Sequence, residues 1–547
     1  MNILDASMTP FGNPDGALAQ IEDITRGFVS LSGQGFPISL ATESARTRAI
    51  AGPKGSGKSV YLKRMRDSLK TNPSIYIEGE HDYLAKPEVG FKKTAEVVTF
   101  CTYFDVRERT VKWQEFWKAA IYCTVLSHIY NFDFLKDKLS NTLCNAVQKL
   151  ISDKDVFLLS GDFEFSIGDF ASAILTKKAR KDAMHNFLNN EKLLVLRKTV
   201  EKSLYNMPPL WFFVDCIDEE YKSAPNSWLA CQVGLFYAVS ELAREPVFSN
   251  KLHVVICIRD IVLMKVYMSE HAPKYKDVTH IKILSWDYRI IRHFFEEKIK
   301  QLHDEFFIER DFEEKTIGNW LGILKIQNIE RGFEEDILDY LIRHTTLLPR
   351  DIVILGNKLA SITFQLKQTG QLDPVFAAQK IRKAVDDVAR EIGENLIVLC
   401  ANSIAEYSAD SGFTPDKEHF TSDSSYVHFR SEEYKLLVSV ISKFKTNRFS
   451  WDKATEVIEY AKSIFNGYPE DARNNILDIL WRHGAIGYVA TKDGKKYEVF
   501  ASIADYSNTR LTFPAGRNEY IIRPCIVDAI GNGVIKSVGD IVYGGNR

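Results

Sequence analysis

Cysteine is sparse in this 547-residue chain: there are 8, at Cys101, Cys123, Cys144, Cys216, Cys231, Cys257, Cys400 and Cys525, with no C-x-x-C pair. Their scatter argues against a zinc ribbon or a redox motif and reads as the reduced thiols of a cytoplasmic protein. Apolar runs of membrane-spanning length, about 20 residues, are missing too. Met1-Asn2-Ile3-Leu4-Asp5 is no basic segment leading into an apolar one, so neither a membrane contact nor a secretory signal is expected. Charge of one sign is lacking: 70 Lys+Arg against 72 Asp+Glu leave a formal net charge of -2. That excludes a general attraction for nucleic acid, although a local basic face fits inside a neutral total. Repeats and low-complexity tracts are absent. What remains is ordinary globular usage, 45% hydrophobic and 26% charged, in a length that suits about two to four domains.

Against this plain background one stretch stands out. Gly52-Pro53-Lys54-Gly55-Ser56-Gly57-Lys58-Ser59 fits G-x-x-x-x-G-K-[ST] without a gap, and Val60 follows. Glycines let backbone N–H groups approach phosphate oxygens. The lysine reaches the β and γ phosphates of a nucleotide, and the serine hydroxyl is a ligand for Mg²⁺. A helix beginning at the end of the loop would aim its positive dipole end at the same charge. The flanks agree. Arg48-Ala49-Ile50-Ala51 suits a buried strand, and Ser59 to Arg66 carries apolar residues at helical spacing.

A second element lies far downstream. Leu210-Trp211-Phe212-Phe213-Val214 is a continuous apolar run, as expected of a strand buried on both faces of a parallel sheet. It delivers Asp215-Cys216-Ile217-Asp218-Glu219, a Walker B pattern. Asp215 would hold Mg²⁺, through water. Asp218 or Glu219 would orient or deprotonate the attacking water. Candidate strands lie between the two motifs at Ser74 to Ile77 and Val97 to Phe100. A strand placed between the loop strand and the acid-bearing strand is typical of ATPases with a catalytic acid. In small-molecule P-loop kinases those two strands adjoin.

Two arginines complete the candidate constellation. Leu252 to Ile258 reads as a strand ending at Arg259-Asp260. Arg259 is either a cation near the γ phosphate, where negative charge grows, or a surface arginine paired with Asp260. Thr345-Thr346-Leu347-Leu348-Pro349-Arg350-Asp351 precedes an apolar helical stretch. Pro349 fits a first-turn position, Asp351 suits a helix N-terminus, and Arg350 could reach a nucleotide from a lid.

Elsewhere the signals are blander. Trp113, Phe116 and Trp117 share one helical face, which reads as core. The segment near 153–207 looks like a largely helical insertion, whose Lys177, Lys178, Arg180 and Lys181 read as a solvated face. Towards the C-terminus come three helix candidates, Ser431 to Phe444, Ser450 to Ser463 and Pro469 to Arg482. A hairpin signal follows around Asp493-Gly494, and Glu519 to Ile522 could add a third strand. Three helices and a hairpin describe a winged helix. Lys492, Lys495 and Lys496 at its tip could contact a DNA backbone.

Taken together, the glycine loop, the Val-Asp-Cys-Ile-Asp-Glu element, the strand ending Ile-Arg-Asp, Leu284-Ser285-Trp286-Asp287 before a helix, and Leu-Pro-Arg-Asp resemble the STAND-like branch of P-loop ATPases. More closely, they resemble bacterial members with a C-terminal winged helix, often encoded beside phage-defence systems. The resemblance runs from about Phe11-Gly12-Asn13-Pro14 to the C-terminus. It implies an α/β P-loop core over 1–280, a helical lid over 281–425 and a winged helix over 426–547. It implies ATP and Mg²⁺ as cofactors, with Lys58, Ser59 and Asp215 holding them. Asp218 and Glu219 would be catalytic acids, Arg259 a sensor and Arg350 a lid sensor. A switch that self-associates and engages a protein effector follows from the same likeness. Cys216 stands where ring-forming motors usually carry a glutamate, and no repeat array follows the core. The alternatives are a DNA-directed motor or loader, and a non-hydrolysing ATP-binding scaffold.

Overall fold

The computed structural model describes residues 9–16, 18–20, 24, 28, 29, 31, 46–70, 109–152, 191–215, 225–275, 280–309, 311, 313–328, 332–408, 432–468, 470–492, 494–501, 512–531, 533–539, 543 and 544. The candidate strands at 74–77 and 97–100, the basic run at 177–181, and Asp218 and Glu219 lie outside the described residues.

Four strands form a parallel sheet in the order β2-β3-β1-β4: β1 (Ala49–Gly52), β2 (Leu210–Val214), β3 (Leu252–Arg259) and β4 (Ile281–Ile283). β1, β2 and β3 are buried at every residue, and apart from His253 and Arg259 in β3 they are apolar or glycine, as strands covered on both faces must be. Each inter-motif connection is long enough to return the chain to the same end of the sheet, which parallel pairing demands. In register, Gly52 lies beside Arg259, Ala51 beside Ile283, and Val214 beside Ile256. β4 falls just past residue 280, so the sheet continues into the segment expected to begin the lid.

Helix α1 (Lys58–Lys70) follows the glycine loop, and α2 (Arg109–Asn131) carries Trp113, Phe116 and Trp117, all fully buried. Helix α3 (Glu191–Leu204) packs on α2, as does α4 (Pro225–Leu242). The α2–α4 crossing is close. A Cβ on Gly234 would stand 2.5 Å from Trp113 Cβ, so only glycine fits there. Helix α5 (Asp260–Met268) leaves the end of β3.

The second apolar core begins with Phe11 and runs through α6 (Tyr288–Gln301), α7 (Ile337–Arg343), α8 (Pro349–Thr369) and α9 (Pro374–Ser408). A small antiparallel hairpin, β5 (Lys325–Asn328) and β6 (Phe333–Asp336), precedes α7. The same core continues into the C-terminal helices α10 (Glu432–Ser442), α11 (Trp451–Ile464), α12 (Glu470–Asn474) and α13 (Ile476–Arg482).

The single helix expected over 469–482 is therefore two. Asn475, at φ -101° and ψ 17°, leaves helical geometry between them, and Asn competes locally for backbone hydrogen bonds. The expected hairpin is present as β8 (Ile486–Lys492) and β9 (Lys495–Phe500), antiparallel and in register across the turn. β10 (Tyr520–Ile522) pairs with β8 and also with the short β7 (Arg448–Phe449), while β11 (Tyr543–Gly544) lies parallel to β9. Helix α14 (Pro524–Ile530) closes the module against α9.

Candidate functional site

All four strands of the parallel sheet end on one edge, and ligands of open α/β sheets bind outside the carboxyl ends of their strands. On that edge stand Gly52 at the end of β1, Asp215 one residue beyond β2, and Arg259 as the last residue of β3. β3 separates the strand carrying the loop from the strand carrying Asp215. The intervening strand is thus one that comes later in sequence.

The loop itself is built for a close backbone approach. Gly55 and Gly57 adopt φ of 91° and 89°, conformations that side chains rarely tolerate. A Cβ at Gly52 would stand 2.4 Å from Ser56 Oγ, so that glycine keeps the interior of the loop open. Ser56 Oγ is buried there with no hydrogen-bond partner. Lys58 is buried, and its Nζ donates to the carbonyls of Gly52 at 3.1 Å and Pro53 at 3.2 Å. An ammonium folded back on its own loop, an orphaned hydroxyl and a cradle that a Cβ would fill are the features an anionic phosphate chain would satisfy. Helix α1 then starts at Lys58, directing its amino end at the same place.

Among the described residues no group of three or more His, Cys, Asp and Glu could hold a metal ion. Ser59 lies in the first turn of α1 and Asp215 one residue past β2, both at the carboxyl edge of the sheet. Mg²⁺ usually takes one or two protein oxygens and fills its octahedron with phosphate and water. The donor set therefore fits Mg²⁺ brought with a nucleotide. Asp215 is buried at the strand end, as that role requires.

Arg259 is only 3% exposed, so the surface-arginine alternative does not hold. Its position as the residue before α5 keeps it at the sheet edge beside Gly52. The C-terminal module reaches this point too. His483, following α13, sits close enough to Asp260 and Arg259 to feel both charges, and burial above all lowers its pKa to about 4. Its Nε2 and the Ser403 hydroxyl of α9 are 2.7 Å apart.

The structure places Arg350 against the loop, through its backbone. Pro349 opens α8, where its fixed φ suits the first turn. The Arg350 N–H donates to Gly55 O at 3.3 Å, and a Cβ on Gly55 would meet the Arg350 methylenes at 3.0–3.7 Å. Asp351 secures this corner. Its carboxylate accepts from the N–H of Thr346 at 2.8 Å and from the Thr346 hydroxyl. Burial raises its pKa while those donors oppose the rise. The turn they hold includes Leu347 at φ 61°.

Two contacts escape the sequence. Trp286, quoted above only as part of a motif, donates its indole N–H to Ser56 O at 2.9 Å. The chain near its start forms a strap. Asn357 of α8 accepts from the Phe11 N–H at 2.8 Å and donates to Gly12 O at 3.0 Å. Gly16 then lies against Val60 and Ser59, where a Cβ would stand 2.9 Å from Val60 Cγ2. Lys63 Nζ donates to Ala19 O at 3.0 Å. Composition and spacing carry no signal for such a strap, because it is held through its own backbone atoms.

Compared with protein-family models, curated proteins and solved structures, the chain matches none. No helix among the described residues is long and apolar enough to cross a membrane.

Proposed function

We propose that this chain is an ATP-binding and ATP-hydrolysing switch of the STAND-like kind, a regulatory or sensor component of a bacterial defence system. The observation that carries the reading is the shared sheet edge. The glycine loop, Asp215 and Arg259 converge there with β3 between the loop strand and the acid strand. That order suits a hydrolase with a catalytic acid better than a small-molecule kinase. The defence assignment draws on the family resemblance alone.

In this reading the loop amides and Lys58 bind the phosphate chain, and Ser59 with Asp215 holds Mg²⁺. Bound Mg²⁺ neutralises phosphate charge. Arg259 adds positive charge where negative charge grows. Asp218 or Glu219 orients the water for in-line attack. Arg350 and Trp286 press the lid on the loop, so opening the lid alters nucleotide affinity. The C-terminal helices, hairpin and third strand fit a winged helix. Its junction with the lid includes the buried Arg523, whose Nε donates to Gly484 O at 2.6 Å and whose Nη1 donates to Thr345 O at 3.3 Å. Movement of the lid would therefore be felt by that module, whose exposed surface would engage a protein effector or a second copy. DNA contact through the hairpin is the weaker use. Lys496 faces Glu519 at 3.7 Å, which offsets part of the basic charge.

Steady-state ATP hydrolysis, with and without duplex DNA, tests the reading beside Lys58→Ala. Turnover should fall roughly 100-fold or more in the variant, the scale of losing one strong electrostatic contact to the transition state. Tight ATP binding without turnover would remove the roles of Asp218 and Glu219. Strong stimulation by DNA would favour the motor reading. Absence of ATP binding would overturn the proposal.

A further inference from the structure

The glycine loop is held from outside by two donors on consecutive carbonyls. The Arg350 N–H reaches Gly55 O, and the Trp286 indole N–H reaches Ser56 O at 2.9 Å. The second contact has a stereochemical consequence. In a trans peptide the carbonyl of one residue and the N–H of the next point in opposite directions. Fixing Ser56 O towards Trp286 therefore turns the Gly57 N–H to the other side of the loop. No hydrogen bond to the Gly57 N–H is present among the described residues. Gly57 is also free to adopt whatever orientation its neighbours impose, since at φ 89° it sits where glycine has the widest choice. Without an external anchor this peptide is the one most able to flip.

Trp286 is itself well placed to serve as that anchor. It follows β4, just beyond which the Leu284 N–H continues the sheet pairing onto Ala51 O at 2.8 Å. It precedes α6, which Asp287 caps by accepting from the Ile290 N–H at 2.9 Å. Its ring meets Phe294 edge-on, with centroids 5.7 Å apart. The indole is thus mounted on the joint between the sheet and the second core, and its single polar atom is spent on the loop.

We infer that Trp286 is a positioning residue, which holds the Ser56–Gly57 peptide so that the Gly57 N–H faces a bound polyphosphate. This rests on the ATP-binding reading and adds to it a route from the joint to nucleotide affinity. A displacement of the joint withdraws the indole and releases the peptide, with no side chain of the loop moving.

The test compares wild type with Trp286→Phe and with site-specific replacement of Trp286 by its benzothienyl analogue, which keeps the indole shape without the N–H. The analogue carries the test where the phenylalanine variant fails to fold. The readouts are ATP and ADP affinity by calorimetry, KM and kcat for ATP, and the thermal midpoint of the nucleotide-free protein. Loss of one hydrogen bond predicts a three- to tenfold weaker affinity, about the usual net worth of such a bond. KM should rise by the same factor while kcat changes less than twofold, and the nucleotide-free midpoint should fall only by the small amount that one hydrogen bond is worth. Wild-type affinity in the analogue overturns the role of Trp286 and leaves ATP binding standing. A wild-type protein that binds no nucleotide overturns both.

Discussion

Acidification should weaken the back of the parallel sheet through one histidine. His253 lies in β3 opposite Trp211 of β2, and the two rings stack with centroids 4.2 Å apart. Its Nδ1 is 2.5 Å from Arg48 Nη2, and the side chain is only 8% exposed. Burial first, and the neighbouring guanidinium second, push its pKa from 6.5 down to about 3. The unfolded chain takes up this proton near its ordinary pKa while the folded chain refuses it. Stability is therefore intact above about pH 6.5 and is lost as pH falls from there towards the folded value. Between pH 7 and pH 5 the loss is about 2 kcal/mol, at about 1.4 kcal/mol for each unit below the unfolded pKa. That figure is insensitive to the folded value, because the buried ring is still neutral at pH 5. Urea unfolding at both pH values would compare wild type with His253→Gln, which retains an acceptor for Arg48 without titrating. Carboxyls such as buried Asp351 and half-buried Asp386, whose pKa values desolvation raises, act with the opposite sign but cancel in the comparison. Wild type should lose about 2 kcal/mol more than the variant. Equal losses would refute the reasoning.

Two further substitutions test the second core. Gly393→Ala would set a Cβ 1.9 Å from the Cys525 carbonyl oxygen, a backbone atom that cannot swing aside. It should destabilise by about 3 kcal/mol or more and accelerate proteolysis around α14, whereas Gly467→Ala, with open space around its Cβ, should be near neutral in the same assay. Arg343→Ala would strand Glu335, whose side chain is 2% exposed and pairs with Arg343 at 2.6 Å. The expected cost is about 3–5 kcal/mol in thermal denaturation, and replacing both partners by apolar residues of similar size should restore most of it.

The sheet was legible because its strands are buried, so Leu210–Val214 reads as an unbroken apolar run and Leu252–Arg259 as one interrupted only by His253 before it ends at Arg259. β4 was not, since three half-buried residues with Lys282 at their centre resemble any loop edge. The glycine loop announced itself by spacing that few other structures need. The burial of Arg259 could not be read, because an arginine beside an aspartate fits a solvated pair equally well. Trp286 stood in a quoted motif without a role, as an indole N–H aimed at a carbonyl leaves no pattern in the chain. The break at Asn475 was hidden because Ile476, Leu477, Ile479 and Leu480 keep helical spacing after it while Glu470–Asn474 holds neither glycine nor proline to mark a stop.

The strap at the start of the chain has a consequence in time. Phe11 is buried against Phe295 and Trp320, and its N–H is bonded to a side chain 346 positions later. At a synthesis rate of about 5–20 residues per second, Asn357 follows Phe11 by roughly 17–70 s. Through that interval the parallel sheet can assemble while the phenylalanine has no pocket to enter. The nascent chain thus carries Phe11 without its final partners until α8 has left the exit tunnel.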